Sequence, residues 1–210
     1  MARCWGYACL SVLLLAVVAG GAVGAASARA AVGSSAAKVE RFLLTKADLP
    51  AGYKLEERRR LSSRGCPGRI SPAAVRKQLT KLGFRGCALA VFVKEVDVGN
   101  GVSYLEYPES VAVLMRDKAA ASAALRILRR MLLAMLPSEL GLAVHSLPVS
   151  GLGDQAPRGF TFAFGEVNAF VYIWRRGNVV AWTSSSDFLD QFDAGMALKL
   201  ARTLDARGAA

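Results

Sequence analysis

The chain has 210 residues, with 27 Lys and Arg against 16 Asp and Glu, a net charge of +11. One His and four Cys do not make a spaced metal-ligand set, and they leave acid–base work by His to a single side chain. The basic balance favours anionic partners such as phospholipid headgroups or wall polymers. The competing reading is that Lys and Arg simply solvate the surface.

Residues 1–30 have the form of a secretory signal peptide. Arg3 supplies the positive start, Cys9 to Gly24 the apolar core, and Ala26-Ser27-Ala28 and Ala28-Arg29-Ala30 two cleavage sites of the A-x-A type. A retained transmembrane anchor needs roughly 20 apolar residues. The run from Cys9 to Ala28 approaches that length but decays into Gly and Ala, which favours cleavage. Cys4 and Cys9 precede the apolar run, whereas a lipoprotein's acceptor Cys follows it, so no lipid anchor is expected. The predicted location is extracellular or in the cell envelope, which makes nucleic acid the least fitting anionic partner. Cleavage after Ala30 removes Arg3 and Arg29 and leaves 180 residues with a net charge of +9. That length suits one domain with a sizeable core.

Cys66 and Cys87 then remain, and a pair in an exported chain reads as a disulfide. It would close a loop of about 20 residues and stabilise by roughly 3 kcal/mol on the chain-entropy model.

Residues 31–37 are small and polar and predict a flexible tether, with a single domain over 38–210. Lys38 to Lys46 predict a short helix with Val39, Phe42 and Leu43 on one face, stopped by Asp48-Leu49-Pro50. After the Pro50-Ala51-Gly52 turn, Tyr53 to Arg59 predict a strand. Ser71-Pro72 start a helix in which Val75, Leu79 and Leu82 share a face and Gly83 is the C-cap. Gly99-Asn100-Gly101 marks a hairpin between Ala88–Val98 and Val102–Tyr107. Pro108 interrupts the second arm, predicting a bend or a sheet edge. Ser110 to Met115 resumes extended, and Asp117 starts the longest helix, to about Leu136.

Leu142 to Val149 predicts another strand. Phe160 to Thr183 predicts three consecutive antiparallel strands, with alternating Phe160, Phe162 and Phe164, then Phe170, Tyr172 and Trp174, and a turn at Gly177-Asn178. The last helix is predicted from about Leu189 to Ala206, with Leu189, Phe192, Met196, Leu200 and Leu204 as its apolar stripe. Short hairpins make the sheet mainly antiparallel, and helices cover at least one face. The fold class is α+β, with a long central helix and a C-terminal amphipathic helix.

No constellation carries an enzymatic signature. The only possible Ser-His-Asp set would use His145, which lies in a strand-like run and reads as half-buried; no G-x-S-x-G is present. Asp187, Asp190 and Asp193 suit a helix N-terminus. Gly151-Leu152-Gly153-Asp154 lacks the third Gly and the following helix of a phosphate loop. No cofactor is expected.

Two non-catalytic surfaces stand out. On the long helix, Arg126, Arg129 and Arg130 fall on one arc with Lys118, opposite a wide apolar side, and Leu133 intrudes on the basic side. In the aromatic strands, Phe170, Tyr172 and Trp174 share a face, with Trp182 nearby in sequence. That face either packs on the last helix as core or lines a cavity for an apolar ligand.

The segment Phe42-Leu43-Leu44-Thr45-Lys46-Ala47-Asp48-Leu49-Pro50-Ala51-Gly52-Tyr53 resembles the LLxxxDLPxGY opening of exported actinobacterial lipoproteins and sensor-like domains. Leu152-Gly153-Asp154-Gln155-Ala156, Arg176-Gly177-Asn178-Val179-Val180 and the C-terminal helix match the same pattern. More loosely, residues 38–206 resemble the extracytoplasmic sensor domain of actinobacterial serine/threonine kinases. The resemblance implies an antiparallel sheet with helices and a cleft for a ligand; it carries over no functional residues. This chain departs from it in lacking a lipobox Cys and a kinase domain.

The resulting expectation is a secreted or envelope-associated, non-enzymatic domain that binds an apolar or amphiphilic ligand between sheet and helix. Phe170, Tyr172, Trp174 and Trp182 are the candidate ligand residues. The alternative is a basic module that docks Arg126, Arg129 and Arg130 on anionic polymers or lipids. An enzyme of unknown type comes third.

Overall fold

The central strands place apolar side chains on both sides, and this draws helices onto both faces of one sheet. The computed structural model describes residues 35–62, 73–97, 99, 103–134, 144–164, 167–188 and 193–210. Residues 35–40 form α1 and a 3-10 turn follows at Lys46–Asp48. Then come β1 (Lys54–Ser62), α2 (Ala73–Lys81), β2 (Phe84–Asp97), β3 (Ser103–Glu106), β4 (Glu109–Met115) and α3 (Lys118–Ala134). The chain continues with β5 (Val144–Leu147), β6 (Gln155–Phe164), β7 (Val167–Arg176), β8 (Val179–Phe188) and α4 (Ala194–Ala209). The eight strands form one antiparallel sheet of order β1-β2-β4-β8-β7-β6-β5, with β3 also paired to β2. This is the α+β architecture expected from the sequence.

Alternation sorts the core into two layers. On one face, Ala88, Ala90 and Phe92 of β2, Ala112 of β4, Phe170, Tyr172 and Trp174 of β7 and Ala181 of β8 pack with Phe42, Leu43 and Leu44 and with Ala197, Leu200, Ala201 and Leu204 of α4. On the other, Leu89, Val91, Val111, Val113, Ile173 and Trp182 pack with Leu79 of α2 and with Ala120, Ala121, Ala124, Leu125, Leu128 and Met131 of α3. Alanines at the helix contacts allow the close approach that Leu-only stripes would prevent.

Both long helices start at an aspartate cap. Asp117 Oδ1 accepts from Ala120 N at 2.7 Å, and Asp193 Oδ1 from Met196 N at 2.7 Å. The bond from the Ala120 amide holds the Asp117 carboxyl below its ordinary pKa.

Several elements differ from expectation. The helix predicted over Lys38–Lys46 is confined to 35–40, and the chain then re-forms a 3-10 turn, because Asp48 bonds back to Thr45 N (2.7 Å) and Oγ1 (2.9 Å). α3 is assigned from Lys118 to Ala134, and residues 135 and 136 lie outside the described residues. The last helix begins at Ala194 rather than near Leu189, since β8 runs on to Phe188; Leu189 and Phe192 lie outside the described residues. As the Pro108 reading expects, β3 is an edge strand, paired only with β2 among the described strands, while β4 beyond the proline is interior, between β2 and β8. The Pro108 carbonyl accepts from Phe92 N at 3.0 Å, so the register with β2 passes through the break.

Trp174 is fully buried, and its Nε1 has no hydrogen-bond partner among the described residues. Trp174→Ala is expected to cost about 3–5 kcal/mol. Trp174→Phe keeps most of the packing and removes an unsatisfied donor, so a loss of only about 1–2 kcal/mol is expected in urea unfolding. Equal losses in the two variants would show that the indole N–H is satisfied.

Candidate functional site

Two polar staples join the helices and the N-terminal segment to the sheet. In the first, consecutive arginines at the end of β7 serve the two helical layers. Arg175 ion-pairs Asp154 at 2.9 Å and donates to Gln155 Oε1 at 2.7 Å, which also accepts from Ser122 of α3 at 2.7 Å. Arg176 ion-pairs Asp205 of α4, and Asp205 also accepts from Gly153 N at 2.8 Å. The hydrogen bond from Arg176 to Asp205 raises the guanidinium pKa further above its ordinary value. Gly153 has φ +70°, and a Cβ there would lie 2.6 Å from the Arg175 carbonyl oxygen, so the turn requires glycine.

In the second staple, Arg207 of α4 holds Asp48 at 3.1 Å and donates to the Leu43 carbonyl at 2.6 Å. Tyr53 donates to the buried Glu106 at 2.6 Å, and Tyr104 donates to the same carboxylate at 3.1 Å. These residues fasten helices and the N-terminal segment to the sheet.

The predicted site residues are distributed as follows. Phe170, Tyr172 and Trp174 share the face covered by α4, all buried, and Tyr172 Oη donates to the Ala194 carbonyl at 3.1 Å. Burial raises the Tyr172 pKa above its ordinary value. Trp182, also buried, lies on the opposite face under α3, so it does not join the other three. Arg126 and Arg130 are exposed, but Arg129 leaves the basic arc and is half-buried, its guanidinium 5.7 Å from the centre of the Phe160 ring. Leu133 packs against the core rather than on the basic side.

His145 sits exposed on the edge strand β5, opposite Thr161, not half-buried. Asp193 is a helix cap, whereas the Asp187 side chain and Asp190 lie outside the described residues. Cys87 is buried on β2, and Cys66 lies outside the described residues.

A surface that the sequence did not single out lies beyond the end of α3. Direct pairing aligns Phe160, Val171, Ser184, Glu109 and Val91 as one row on the α3 face. Two residues further along each strand, Val144, Phe162, Ala169 and Ser186 pair into a second row, which Tyr107 and Val93 continue by the same register. Here the helices among the described residues no longer cover the sheet. Tyr107 is 41% exposed, Val144 40% and Leu105, two residues before Tyr107, 47%. Phe162, Ala169, Val171 and Val93 are half-buried. At the same level on the other face, Phe92, Pro108, Phe170 and Ser185 are buried. Ser184, Ser186 and Glu109 put polar atoms within the band, and Arg129 stands at its Phe160 end.

No protein-family model matches the chain, and no curated protein matches it. Among solved structures, the fold is similar to the extracellular domain of PknH from Mycobacterium tuberculosis. That match has a TM-score of 0.54 at 9% identity and covers 82% of this chain and 95% of that one. At this identity the likeness establishes the fold. Among the described residues, no helix is long and apolar enough to cross a membrane.

The Arg176–Asp205 staple makes a stability prediction. Removing one partner of a largely buried pair costs about 3–5 kcal/mol. Because Arg176 still reaches water, Asp205→Ala is expected to cost about 2–3 kcal/mol in chemical denaturation. A loss below about 0.5 kcal/mol would show that α4 is held by its apolar stripe alone.

Proposed function

We propose that the chain is an exported, non-enzymatic binding domain that takes an apolar or amphiphilic ligand on the open band beyond α3. The carrying observation is the collection of exposed apolar side chains. Three of the four large exposed ones among the described residues, Leu105, Tyr107 and Val144, lie on this one end of one sheet face. Contiguous exposed apolar surface of this kind marks interaction sites. An amphiphile would lay its chain across Phe162, Val171, Val93 and Tyr107, with an anionic head at Arg129. The closed packing of Tyr172 and Trp174 under α4 directs the ligand here rather than to the face first expected. The signal-peptide pattern and the fold shared with a solved extracellular domain support an exported location.

Titration of the folded protein with oleate, followed by Trp fluorescence, tests the site. Trp182 sits two residues from Ser184 on the same face and reports on the band. Tyr107→Ala is expected to weaken uptake about tenfold while leaving the unfolding midpoint nearly unchanged, because the ring is largely exposed. No spectral change with oleate, or equal uptake by the variant, would overturn the reading.

Export and oxidation belong to the same proposal. β1 brings Ser62 into register with Cys87, and Cys66 is four residues further on, within an extended reach of about 14 Å. Mass spectrometry of the exported protein without reduction is expected to show an N-terminus after Ala28 or Ala30 and a linked Cys66–Cys87 peptide. An intact Met1 would refute cleavage, and two free thiols would refute the bridge.

A further inference from the structure

α3 carries Arg126, Arg129 and Arg130 within about one turn, and no acid lies anywhere along Lys118–Ala134. Arg126 precedes the other two by three and four residues, a spacing at which like charges on a helix repel. The helix is pinned to β6 at two points. Ser122 Oγ donates to Gln155 Oε1 at 2.7 Å, and the Arg129 guanidinium lies 5.7 Å from the centre of the Phe160 ring. Between the pins, about 10 Å of helix runs beside the first half of β6.

β6 adds another arginine between the same pins. Arg158 pairs with Ile173, which belongs to the core layer under α3, so Arg158 projects on the α3 face. Arg158 and Arg126 are exposed. The side chains of Arg126, Arg129 and Arg158 thus border one seam between α3 and β6. None of the three forms an ion pair among the described residues. The acids nearest in the chain are engaged elsewhere: Asp117 pairs with Arg116 and caps α3, and Asp154 pairs with Arg175. At its Phe160 end the seam meets the open apolar band.

We infer that this seam is a phosphate site, and that the amphiphile of the band is headed by a phosphate group. The chain of that ligand rests on the reading under Proposed function; the phosphate site rests on the arginines alone. A carboxylate brings one charge, which Arg129 by itself would match. A phosphate monoester brings a charge of about −1.5 to −2 and three acceptor oxygens. Guanidinium forks bond phosphate oxygens in pairs, so three of them surround such a group. Cations confined to about 10 Å of helix suit one phosphate rather than the length of a polyanion. Its binding would also relieve the repulsion between arginines that no acid on α3 offsets.

Titration of the exported protein with oleyl phosphate and with oleate, followed by Trp fluorescence, compares two heads on one chain. Oleyl phosphate is expected to bind about tenfold more tightly at low salt, and added salt should shrink the difference. In Arg126→Gln with Arg158→Gln the two ligands should bind equally, with the circular dichroism of the parent. Lys54→Gln with Arg60→Gln, two exposed cations on β1, should keep the preference. Phosphorus NMR of inorganic phosphate reads the seam without a chain: its line should broaden with the parent and not with the Arg126 and Arg158 double variant. Equal affinity for the two heads in the parent, a preference that survives in the double variant, or no broadening by the parent would each overturn the inference. Broadening without uptake of either oleyl compound would assign the seam to free phosphate and overturn the ligand reading of the band.

Discussion

Two-sided burial of an antiparallel sheet is the constraint on which the rest of this structure depends. Antiparallel sheets commonly leave one face to solvent, with polar residues alternating outward. Here β2, β4, β7 and β8 carry apolar side chains on both faces, so neither can be left open in the centre. Helices must therefore be fastened above and below. The staples at Arg175, Arg176 and Arg207 place charged hydrogen bonds at the points where helices and the N-terminal segment meet the sheet. Such pairs contribute orientation as well as energy, because the guanidinium fork has fixed geometry.

The same constraint locates the candidate site. α3 covers the sheet at the Val111 and Trp182 level and is described to Ala134, while β6, β7 and β8 continue. The other face is covered at that level, where Leu44 N donates to Ser110 Oγ at 2.7 Å and Tyr53 reaches Glu106. Apolar side chains that would be core in the middle of the sheet are thus left partly exposed at one end and on one side. The proposed surface needs no strained backbone, because layers of unequal extent among the described residues leave part of a buried-type surface uncovered.

The segments 42–53, 152–156 and 176–180 fit this picture. Thr45, Asp48, Gly153, Asp154 and Arg176 hold the scaffold together, so these segments serve the architecture. None of Leu105, Tyr107 or Val144 belongs to those segments.

By itself the sequence determined the α+β class, the antiparallel run of β6, β7 and β8, the Gly83 end of α2, the Asp117 cap of α3 and the apolar faces of both helices, while the Ser71-Pro72 start of α2 lies outside the described residues. These rest on local rules: alternation with period 2, helical spacing, and glycine in turns that need positive φ. Pro108 marked β3 as a bend or edge strand, and β3 pairs only with β2 among the described strands; the interior place of β4 beyond it was not legible, because the register is carried across the break by the Pro108 carbonyl and Phe92 N. Nor did the sequence separate Trp182 from Phe170, Tyr172 and Trp174; a strand's outward and inward faces have identical alternation until its partners are known. Tyr107 and Leu105 share a face with core residues Val91 and Val111, and no local signal marks them as exposed. Only the tertiary structure decided that, because exposure depends on which elements distant in sequence cover that end of the sheet.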